Sequence, residues 1–481
     1  MSESEDIATP LHEPEAAPAQ DRVHDKEDRL RPEFVGEVLD AVADGDDEAA
    51  RALVAGLHPA DIADLIELAP WDERGDLIEA LAGIVDADVY AELNDHVREH
   101  VIDEMEPQQV ADLAAQLDTD DAVAIIEDLE QDEQLAVLRA MEPDDRAAVE
   151  EALTYGEETA GRLMQRDLIA VPEHWKVGQV IDYLRSTEDL PTDFWEVFVV
   201  SPNHHPVGTC KLSSILRTPR TRLVGEIMQR EQTLIPVDMD QEDVALRFQK
   251  YALVSAAVTD ASGRLVGMIT VDDIVHIIQE EAGEDVLLLA GAGEGDINEP
   301  IQATVRRRLI WLVVNLGTAI VAASVVGFFQ GEISRYTLLA VLMPIVSGMG
   351  GNAGTQTLAV AVRALATNQL TSSNTLRMFG REFKIAFWNG LSLGLLISAG
   401  VALIFGVIHP VPKGFLLAGV MGSAMLINNL VAGLAGILVP VGLDRSRIDP
   451  AVSSAVFVTM ATDVMGFFSF LGLAAITGLA S

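Results

Sequence analysis

The stretch AVSSAVFVTMATDVMGFF (451–468) places a lone carboxylate, that of Asp463, inside a run of apolar residues. An ionised group in hydrocarbon is costly unless it faces a bundle interior or a water-filled path. Counting back one helical turn at a time puts Thr459 and Ala455 on the same face as Asp463. The stretch therefore predicts a membrane-spanning helix with one hydrophilic stripe.

A second stretch, PIVSGMGGNAGTQT (344–357), concentrates small and polar residues in another apolar run. Asn352 and Gln356 lie one turn apart, and glycines such as Gly348 allow helices to approach closely or expose backbone carbonyls. Glycine-rich packing is common in membranes and is a weak signal by itself. Together with the intramembrane Asp463, it favours a hydrophilic path for a cation.

Five apolar runs are long enough to cross the ~30 Å of hydrocarbon in a bilayer. They cover 309–329, 337–362, 385–408, 414–440 and 450–479. The loops on one side of these runs contain nine Arg or Lys residues and those on the other side contain two. Basic loops stay in the cytoplasm, so we expect the N-terminal part inside and the C-terminus outside the cytoplasmic membrane.

The chain as a whole is strongly acidic. The sequence contains 75 Asp and Glu residues against 32 Lys and Arg, a net charge of −43, which argues against a nucleic-acid partner. Only six of the bases are Lys, which indicates a halophilic source. A single cysteine excludes a disulfide framework. Residues 1–31 have no apolar signal segment and are expected to form a disordered acidic tail.

Residues 32–157 contain an internal repeat. Apolar residues recur every 12 positions from Leu57 to Leu153, and copies such as LHPADIADLIEL (57–68) and MEPDDRAAVEEA (141–152) place Pro and acids where a helix would begin. Each copy predicts one short helix and a tight turn, stacked on its neighbours into a superhelix. The expected role is interaction or ion sensing, with an inert scaffold as the alternative.

Residues 158–277 change to short β-branched runs that alternate with helices, in two copies at 158–218 and 219–277. The copies resemble a pair of CBS domains, which bind adenosyl nucleotides. In the second copy, Thr270 and Asp273 match the turn that grips a ribose in that family, whereas the first copy lacks the acid. The resemblance implies at most one good site for ATP or another adenosyl nucleotide, and it leaves open whether a nucleotide binds.

Residues 278–300 are expected to form an amphipathic helix and a linker to the membrane region. Glu281, Glu284 and Asp285 share one helical face, where bare carboxylates repel each other. Oxygen ligands of this kind are those that Mg²⁺ and Ca²⁺ prefer. The alternative is an ordinary solvated face of a halophilic protein.

This order of parts resembles the MgtE family of Mg²⁺ channels: a helical repeat domain, an α/β tandem CBS pair, a connecting plug helix and a five-helix transmembrane domain at 301–481. The most specific matches lie in the two stretches quoted above and at Asp449-Pro450-Ala451. The resemblance implies a homodimer with one pore, in which Asp463 attracts hydrated Mg²⁺. It also implies that Gly348, Asn352, Ala455 and Thr459 line the path.

The same resemblance implies that cytosolic Mg²⁺ acts as a regulator as well as the substrate, by bridging acidic surfaces and closing the pore. The matching acids are Asp120, Asp121, Asp240, Glu242, Asp273, Glu281, Glu284, Asp285 and Asp449. Two positions depart from the family, since Ala252 and His276 stand where the family usually has Asp. One or two sensor sites are therefore expected to be altered.

Two other functions remain open from the sequence. Asp463 could carry the proton of a secondary transporter that couples a divalent cation to H⁺ or Na⁺. The membrane part could instead anchor a nucleotide or osmotic sensor, although an anchor does not need an intramembrane acid. The chain has no Gly-Lys-Ser/Thr phosphate-binding loop, which argues against an ATP-driven pump and against an enzyme.

Overall fold

The protein is described by a computed structural model. The described residues are 20–103, 105–127, 129–187, 190–191, 194–290, 301–370, 374–446, 448–451 and 454–479. The chain forms two compact units, Met1–Ile277 and Ile278–Ser481. Most of the predicted acidic tail (1–19) and the predicted linker 291–300 lie outside the described residues.

The first unit begins with a short helix, α1 (Gln20–Val23), followed by a row of short helices. These are α2 (Pro32–Ala43), α3 (Asp47–Val54), α4 (Pro59–Leu68), α5 (Arg74–Ala80), α6 (Ala87–Glu92), α7 (Asp95–Ile102), α8 (Pro107–Ala114), α9 (Thr119–Glu127), α10 (Gln131–Ala140) and α11 (Pro143–Ala152). Each helix is too short to be stable alone, so its apolar face must pack against its neighbours. The predicted helical repeat domain is confirmed.

The 12-residue period sets where these helices begin. Seven of them start in register, at Asp47, Pro59, Asp95, Pro107, Thr119, Gln131 and Pro143. Helices α5 and α6 start three and four residues later than the register predicts. The apolar faces join into one continuous core, in which Leu65, Leu77 and Ile126 are fully buried.

Two α/β modules complete the first unit. Their strands are β1 (Ala170–Pro172), β2 (Glu196–Val200), β3 (Pro206–Lys211), β4 (Leu234–Pro236), β5 (Ser255–Thr259) and β6 (Leu265–Thr270). Their helices are α12 (Val177–Ser186), α13 (Leu212–Arg217), α14 (Val224–Ile227) and α15 (Gln241–Tyr251). Each sheet pairs its first two strands in parallel and its last two antiparallel, so the two copies share one topology.

The modules exchange their opening segments. Gln165, in the opening of the first copy, donates its backbone N–H to Met268 of the second sheet at 2.8 Å. Gln229 opens the second copy and donates in the same way to Thr209 of the first sheet at 2.8 Å. The approach needs glycine, because a Cβ on Gly208 would lie only 2.6 Å from the Gln229 carbonyl oxygen.

A single long helix, α16 (Val271–Ala290), begins in the first unit and ends in the second. The membrane region follows with α17 (Ile301–Phe328), α18 (Gln330–Arg335), α19 (Leu338–Ala366), α20 (Thr375–Ala402), α21 (Gly414–Arg445) and α22 (Ser454–Ile476). A π-helical turn at Leu403–Ile408 extends α20. Within the described part of the chain, five of these helices are long and apolar enough to cross a membrane.

The helix ends differ from the apolar runs. Helix α20 begins at Thr375, ten residues before the predicted start at 385, and so takes in Glu382. Glu382 is 5% exposed, so Asp463 is not the only acid within a candidate membrane helix. Helix α21 continues to Arg445, five residues beyond the predicted end at 440.

Helices α19 and α22 pack antiparallel. Ser347 of α19 contacts Asp463 of α22, and one turn or more further along, Gly354 lies against Val458. A Cβ on Gly354 would lie 2.6 Å from the Val458 side chain, so the glycine permits this close approach. Helix α21 packs on both α19 and α22 and forms the centre of the membrane unit.

Candidate ion pathway and acidic clusters

The intramembrane acid has one hydrogen-bond partner among the described residues. The hydroxyl of Ser347 on α19 donates to Oδ1 of Asp463 on α22. Ser347 is 8% exposed and Asp463 is half-buried. Ser347 lies in the stretch 344–357 but is not among the predicted pathway residues. Its place next to Gly348, on the helix that faces the acid, was the available signal.

The other predicted pathway residues form two neighbouring stripes. Gly348 and Asn352 lie on an exposed face of α19, whereas Ala455 and Thr459 are half-buried on α22. In the described part of the chain, no side-chain hydrogen bond joins Asn352 or Thr459 to Asp463. The packing of α19 against α22 brings the two stripes side by side. The stripe on α19 is exposed in a single chain.

A buried asparagine fixes the junction of three membrane helices. Asn428 on α21 is 0% exposed, and its Nδ2 donates to the backbone oxygen of Val346 at 2.8 Å. A Cβ on Gly350 would overlap this amide, and one on Gly466 would lie 2.8 Å from Nδ2. Asn428 is not among the predicted site residues, although a polar pair in the apolar run 414–440 is a visible signal.

A carboxylate cluster lies where the repeat domain meets the second α/β module. Asp120 of α9 has a buried Oδ1 with no hydrogen-bond partner in the described part of the chain. Burial and the charge of Asp273 raise the pKa of Asp120 well above its usual range. Two predicted sensor acids from separate domains are thus brought together.

The pKa values of the neighbouring acids Asp121 and Asp273 are also raised. Burial, followed by the charge of Asp118, raises the pKa of Asp121 to about 6. Burial also raises the pKa of Asp273 to about 6, even though a hydrogen bond from Thr270 opposes the shift. The cluster therefore holds negative charge only against a desolvation and repulsion penalty, which a bound cation would relieve.

The predicted ribose-binding pair is in direct contact. Thr270 Oγ1 donates to Oδ2 of Asp273 at 2.8 Å, and the Thr270 hydroxyl also bonds to Asp272. The amide of Gln165 lies 3.4 Å from the same Asp273 oxygen. Asp273 thus belongs to both the candidate nucleotide turn and the acidic cluster.

Two further sensor candidates begin helix α15. Asp240 is its N-cap, and its Oδ1 accepts a hydrogen bond from the Glu242 backbone N–H at 3.0 Å. Asp240 is exposed, and no described contact joins it to Asp120. At the other end of α15, the departure Ala252 adopts a left-handed φ of 50°. His276 is exposed on α16.

A second carboxylate pair lies in the second unit, outside the membrane-spanning helices. Burial and the charge of Asp449 raise the pKa of Asp285 above its usual range. Asp449 also accepts a hydrogen bond from the Ala451 backbone N–H at 2.8 Å, which fixes the loop before α22. Glu281 and Glu284 are half-buried on α16 with Asp285.

These clusters supply few ligands each. Among the described residues, no group of three or more His, Cys, Asp and Glu side chains is arranged to hold a metal ion. A pair of carboxylates suits Mg²⁺, which dehydrates reluctantly and keeps several waters when one or two carboxylates bind it. The buried, unpartnered Oδ1 of Asp120 fits such a ligand.

The five candidate spans, the intramembrane acid and the α/β pair define a multi-pass membrane transport protein with attached regulatory domains. Residues 343–473 match the divalent cation transporter family MgtE, 57–158 match the MgtE intracellular N domain and 224–280 match the CBS domain. The first α/β module has the same sheet topology as the matched one.

The chain belongs to the MgtE family of magnesium transporters. It is 33% identical over 326 residues to the magnesium transporter MgtE of Enterococcus faecalis, covering 68% of this chain and 70% of that protein. It is 30% identical over 455 residues to the magnesium transporter MgtE of Thermus thermophilus, covering 90% and 96%. These relatives are transporters, in agreement with the prediction that the chain is not an enzyme.

Among solved structures, a crystal structure of the cytosolic domain of the Mg²⁺ channel MgtE in complex with ATP covers 50% of this chain. The match takes in 99% of that protein, with 26% identity and a TM-score of 0.47. A crystal structure of the soluble part of a magnesium transporter covers 52% of this chain and 98% of that protein, with 26% identity and a TM-score of 0.46.

Proposed function

We propose that this protein imports Mg²⁺ across the cytoplasmic membrane through a channel-type pore. The observation that carries the proposal is the Asp463 carboxylate, which lies within a candidate span and on the stripe that also contains Thr459 and Ala455. A carboxylate in this position attracts a cation through its water shell. The distribution of basic loops supports cytoplasmic N-terminal domains and an external C-terminus.

The pore is proposed to form between two copies of the chain. The α19 stripe with Gly348 and Asn352 is exposed in a single copy. Polar groups facing hydrocarbon lack hydrogen-bond partners, so a second copy is the favourable cover for this stripe. Two Asp463 carboxylates would then line one path.

Cytosolic Mg²⁺ is proposed to close this pore. The pairs Asp120–Asp273 and Asp285–Asp449 each hold like charges near one another, and burial together with this repulsion raises the pKa values of Asp120 and Asp285. A divalent cation between such carboxylates replaces repulsion with attraction. At low Mg²⁺ the repulsion loosens the acidic surfaces and favours the open pore.

The same module is proposed to accept ATP or another adenosyl nucleotide at Thr270 and Asp273. The two side chains already bond to each other, so a ribose hydroxyl would share or replace that contact. Because Asp273 also belongs to the acidic cluster, nucleotide binding would alter the response to Mg²⁺.

Flux into liposomes that contain the purified protein at high salt tests the proposal. We expect Mg²⁺ entry that needs no H⁺ or Na⁺ gradient and is lost in Asp463→Asn. Glu332→Gln serves as the control, because Glu332 is an acid outside the long spans that pairs with Arg335 at 3.8 Å. Entry that requires an ion gradient would support the coupled transporter, and entry that survives Asp463→Asn would remove the pore assignment.

The closing mechanism has its own test. Neutralising Glu281, Glu284 and Asp285 together removes the carboxylates of one face of α16. We expect that variant to conduct at a high internal Mg²⁺ concentration at which the wild type is closed. Normal closure of the triple variant would refute the role of this helix.

A further inference from the structure

We propose that an anionic phospholipid binds in a cavity between α20 and α21, with its phosphate on Arg445 and an acyl chain along Leu438. The cavity has a volume of about 420 Å³, which is within the range of ligand sites in proteins. All the residues that line it belong to the second unit. The proposal concerns a site on the lipid-facing side of the membrane helices, so it does not depend on the pore assignment of Asp463.

The walls of the cavity come from the first turn of α20 and the last two turns of α21. The lining residues are Thr375, Leu376, Phe379, Leu438, Val441, Gly442 and Arg445. The four residues of α21 follow the spacing i, i+3, i+4 and i+7, which places them on one side of that helix. A Cβ on Gly442 would meet nothing within 4 Å, so this glycine leaves room between the helices.

The cavity lies at the level where lipid headgroups are expected. Helix α20 and its π-helical turn comprise 34 residues, about 50 Å in length, whereas the hydrocarbon of a bilayer is ~30 Å thick. The first turns of α20 contain Arg377, Arg381 and Lys384, so this end extends beyond the hydrocarbon. Leu438 precedes Arg445 by two helical turns, about 10 Å nearer the membrane centre. A phosphate on Arg445 therefore directs an acyl chain past Leu438.

The outer end of the cavity is positively charged. Arg445 is the charged residue of the lining, and no ion pair or side-chain hydrogen bond engages it within the described part of the chain. Thr375 and Leu376 begin α20, and the first N–H groups of a helix carry partial positive charge. The full charge of Arg445 outweighs the partial negative charge at the end of α21. A guanidinium also matches the geometry of a phosphate.

The inner part of the cavity is apolar and open to the bilayer. Leu376 is 85% exposed and Leu438 is 56% exposed, whereas Val441 is 7% exposed and forms the floor. A free phosphate would match only the arginine, and a zwitterionic lipid would bring its own positive group towards that arginine. An anionic phospholipid matches both ends. Lipids of this kind occur in the cytoplasmic leaflet, on the side to which the basic loops assign this end of the helices.

Native mass spectrometry of the full-length protein tests the proposal. Titration in detergent with phosphatidylglycerol or phosphatidylcholine gives the number of lipids bound per chain and the Kd. We expect one phosphatidylglycerol per chain to bind about tenfold more tightly than phosphatidylcholine, as for one added contact between charged groups. Arg445→Gln should remove this preference. Gly442→Leu fills the cavity without a change of charge and should also weaken phosphatidylglycerol binding about tenfold.

Two matched substitutions serve as controls. Arg308→Gln removes an exposed base at the start of α17, and Gly419→Leu adds a side chain at an exposed position of α21 where a Cβ meets nothing within 4 Å. Both should keep the wild-type Kd. A loss in Arg308→Gln equal to that in Arg445→Gln would indicate general attraction to the basic side and overturn the proposal, as would an equal loss in Gly419→Leu.

Other outcomes also overturn the proposal. Equal affinity of the wild type for the two lipids would mean that charge does not select the occupant. An unchanged Kd in either Arg445→Gln or Gly442→Leu would place the lipid elsewhere. Displacement of phosphatidylglycerol by an equal concentration of inorganic phosphate would identify the site as one for a free anion. Because none of these measurements uses ion flux, their outcome is independent of that for Asp463→Asn.

Discussion

The guanidinium of Arg162 lies 2.6 Å from the carboxylate of Glu127, and this ion pair joins the last residue of α9 to the opening of the first CBS module. The same helix carries Asp120 near Asp273. One contact attracts the repeat domain to the CBS pair and the other repels it. We propose that the balance between these two contacts sets the Mg²⁺ concentration at which the two domains separate.

Removing the attraction should weaken closure. The Arg162 side chain is 11% exposed, and such a pair contributes about 1 kcal/mol. We expect Arg162→Gln to raise the Mg²⁺ concentration for half-closure about fivefold in the flux assay. Arg29→Gln is the control, since Arg29 is 70% exposed and pairs with Glu27, two residues earlier in the chain. Equal closure curves for wild type and Arg162→Gln would contradict the prediction.

The acidic cluster should respond to pH. The pKa values of Asp121 and Asp273 are raised to about 6, so the folded state binds more protons than the unfolded state between about pH 4 and 6. The free energy of unfolding therefore falls as the pH rises through this window. In Mg²⁺-free buffer, we expect hydrogen exchange in α9 to be slower at pH 5.5 than at pH 7.5, after correction for the intrinsic rate.

Two comparisons check that the cluster is the cause. Saturating Mg²⁺ should reduce the pH difference, because the metal replaces the proton between the carboxylates. Asp273→Asn should reduce it as well. A pH difference of the same size in Asp273→Asn would place the titrating groups elsewhere.

The Asp285–Asp449 pair in the second unit should affect the Mg²⁺ concentration at which the pore closes. Asp449→Asn removes one carboxylate from the pair with Asp285, so a bridging Mg²⁺ loses a ligand. We expect the Mg²⁺ concentration for half-closure to rise roughly tenfold, as for the loss of one charged contact. Asp444→Asn neutralises an exposed acid at the end of α21 and should leave the curve unchanged. Identical curves for the two variants would refute the pair as a regulatory site.

Alanine substitution should have very different effects on stability at two adjacent glycines, Gly350 and Gly351. A Cβ on Gly350 overlaps the Asn428 amide, whereas a Cβ on Gly351 meets nothing within 4 Å. We expect Gly350→Ala to destabilise the membrane unit by about 1–3 kcal/mol through overpacking. Gly351→Ala should be neutral or slightly stabilising. Thermal unfolding in detergent measures the stability of both variants. Equal melting temperatures would mean that the helices move apart to fit the methyl group at no cost in stability, and would contradict the prediction.

Ala252, which stands where the family usually has Asp, should be a site of backbone strain. Its φ of 50° lies in the left-handed region, which costs a non-glycine residue about 1–2 kcal/mol. Ala252→Gly should therefore stabilise the protein by about 1 kcal/mol. Ala147→Gly, at an exposed position within α11, should destabilise it by a similar amount. Destabilisation by both substitutions in thermal unfolding would contradict the strain at Ala252.

The elements that sequence predicted best are those with a strong local signal. An acid inside an apolar run is visible without any knowledge of packing, and this is why Asp463 is predicted as the pathway acid. The 12-residue period likewise predicted the repeat helices. It failed for the start of α5, where the chain first forms a turn in which the Glu73 N–H donates to the Pro70 carbonyl at 2.9 Å.

The residues that were missed depend on contacts between elements. A serine or asparagine on a membrane helix can bond to its own backbone, so sequence does not reveal that Ser347 reaches Asp463 or that Asn428 reaches Val346. Helix ends were missed for another reason. Hydropathy marks the apolar centre, whereas α20 extends through charged residues such as Arg381 because its backbone bonds continue.

The exchange of opening segments makes the CBS pair indivisible. Each sheet receives an N–H from the other copy, from Gln165 or from Gln229, so neither copy has a complete edge by itself. A gene that lost one copy would be expected to lose the fold of the other. The first copy has Ser213 and Ser214 where the second copy has Asp272 and Asp273, so it keeps its structural place in the pair without the acid of that turn.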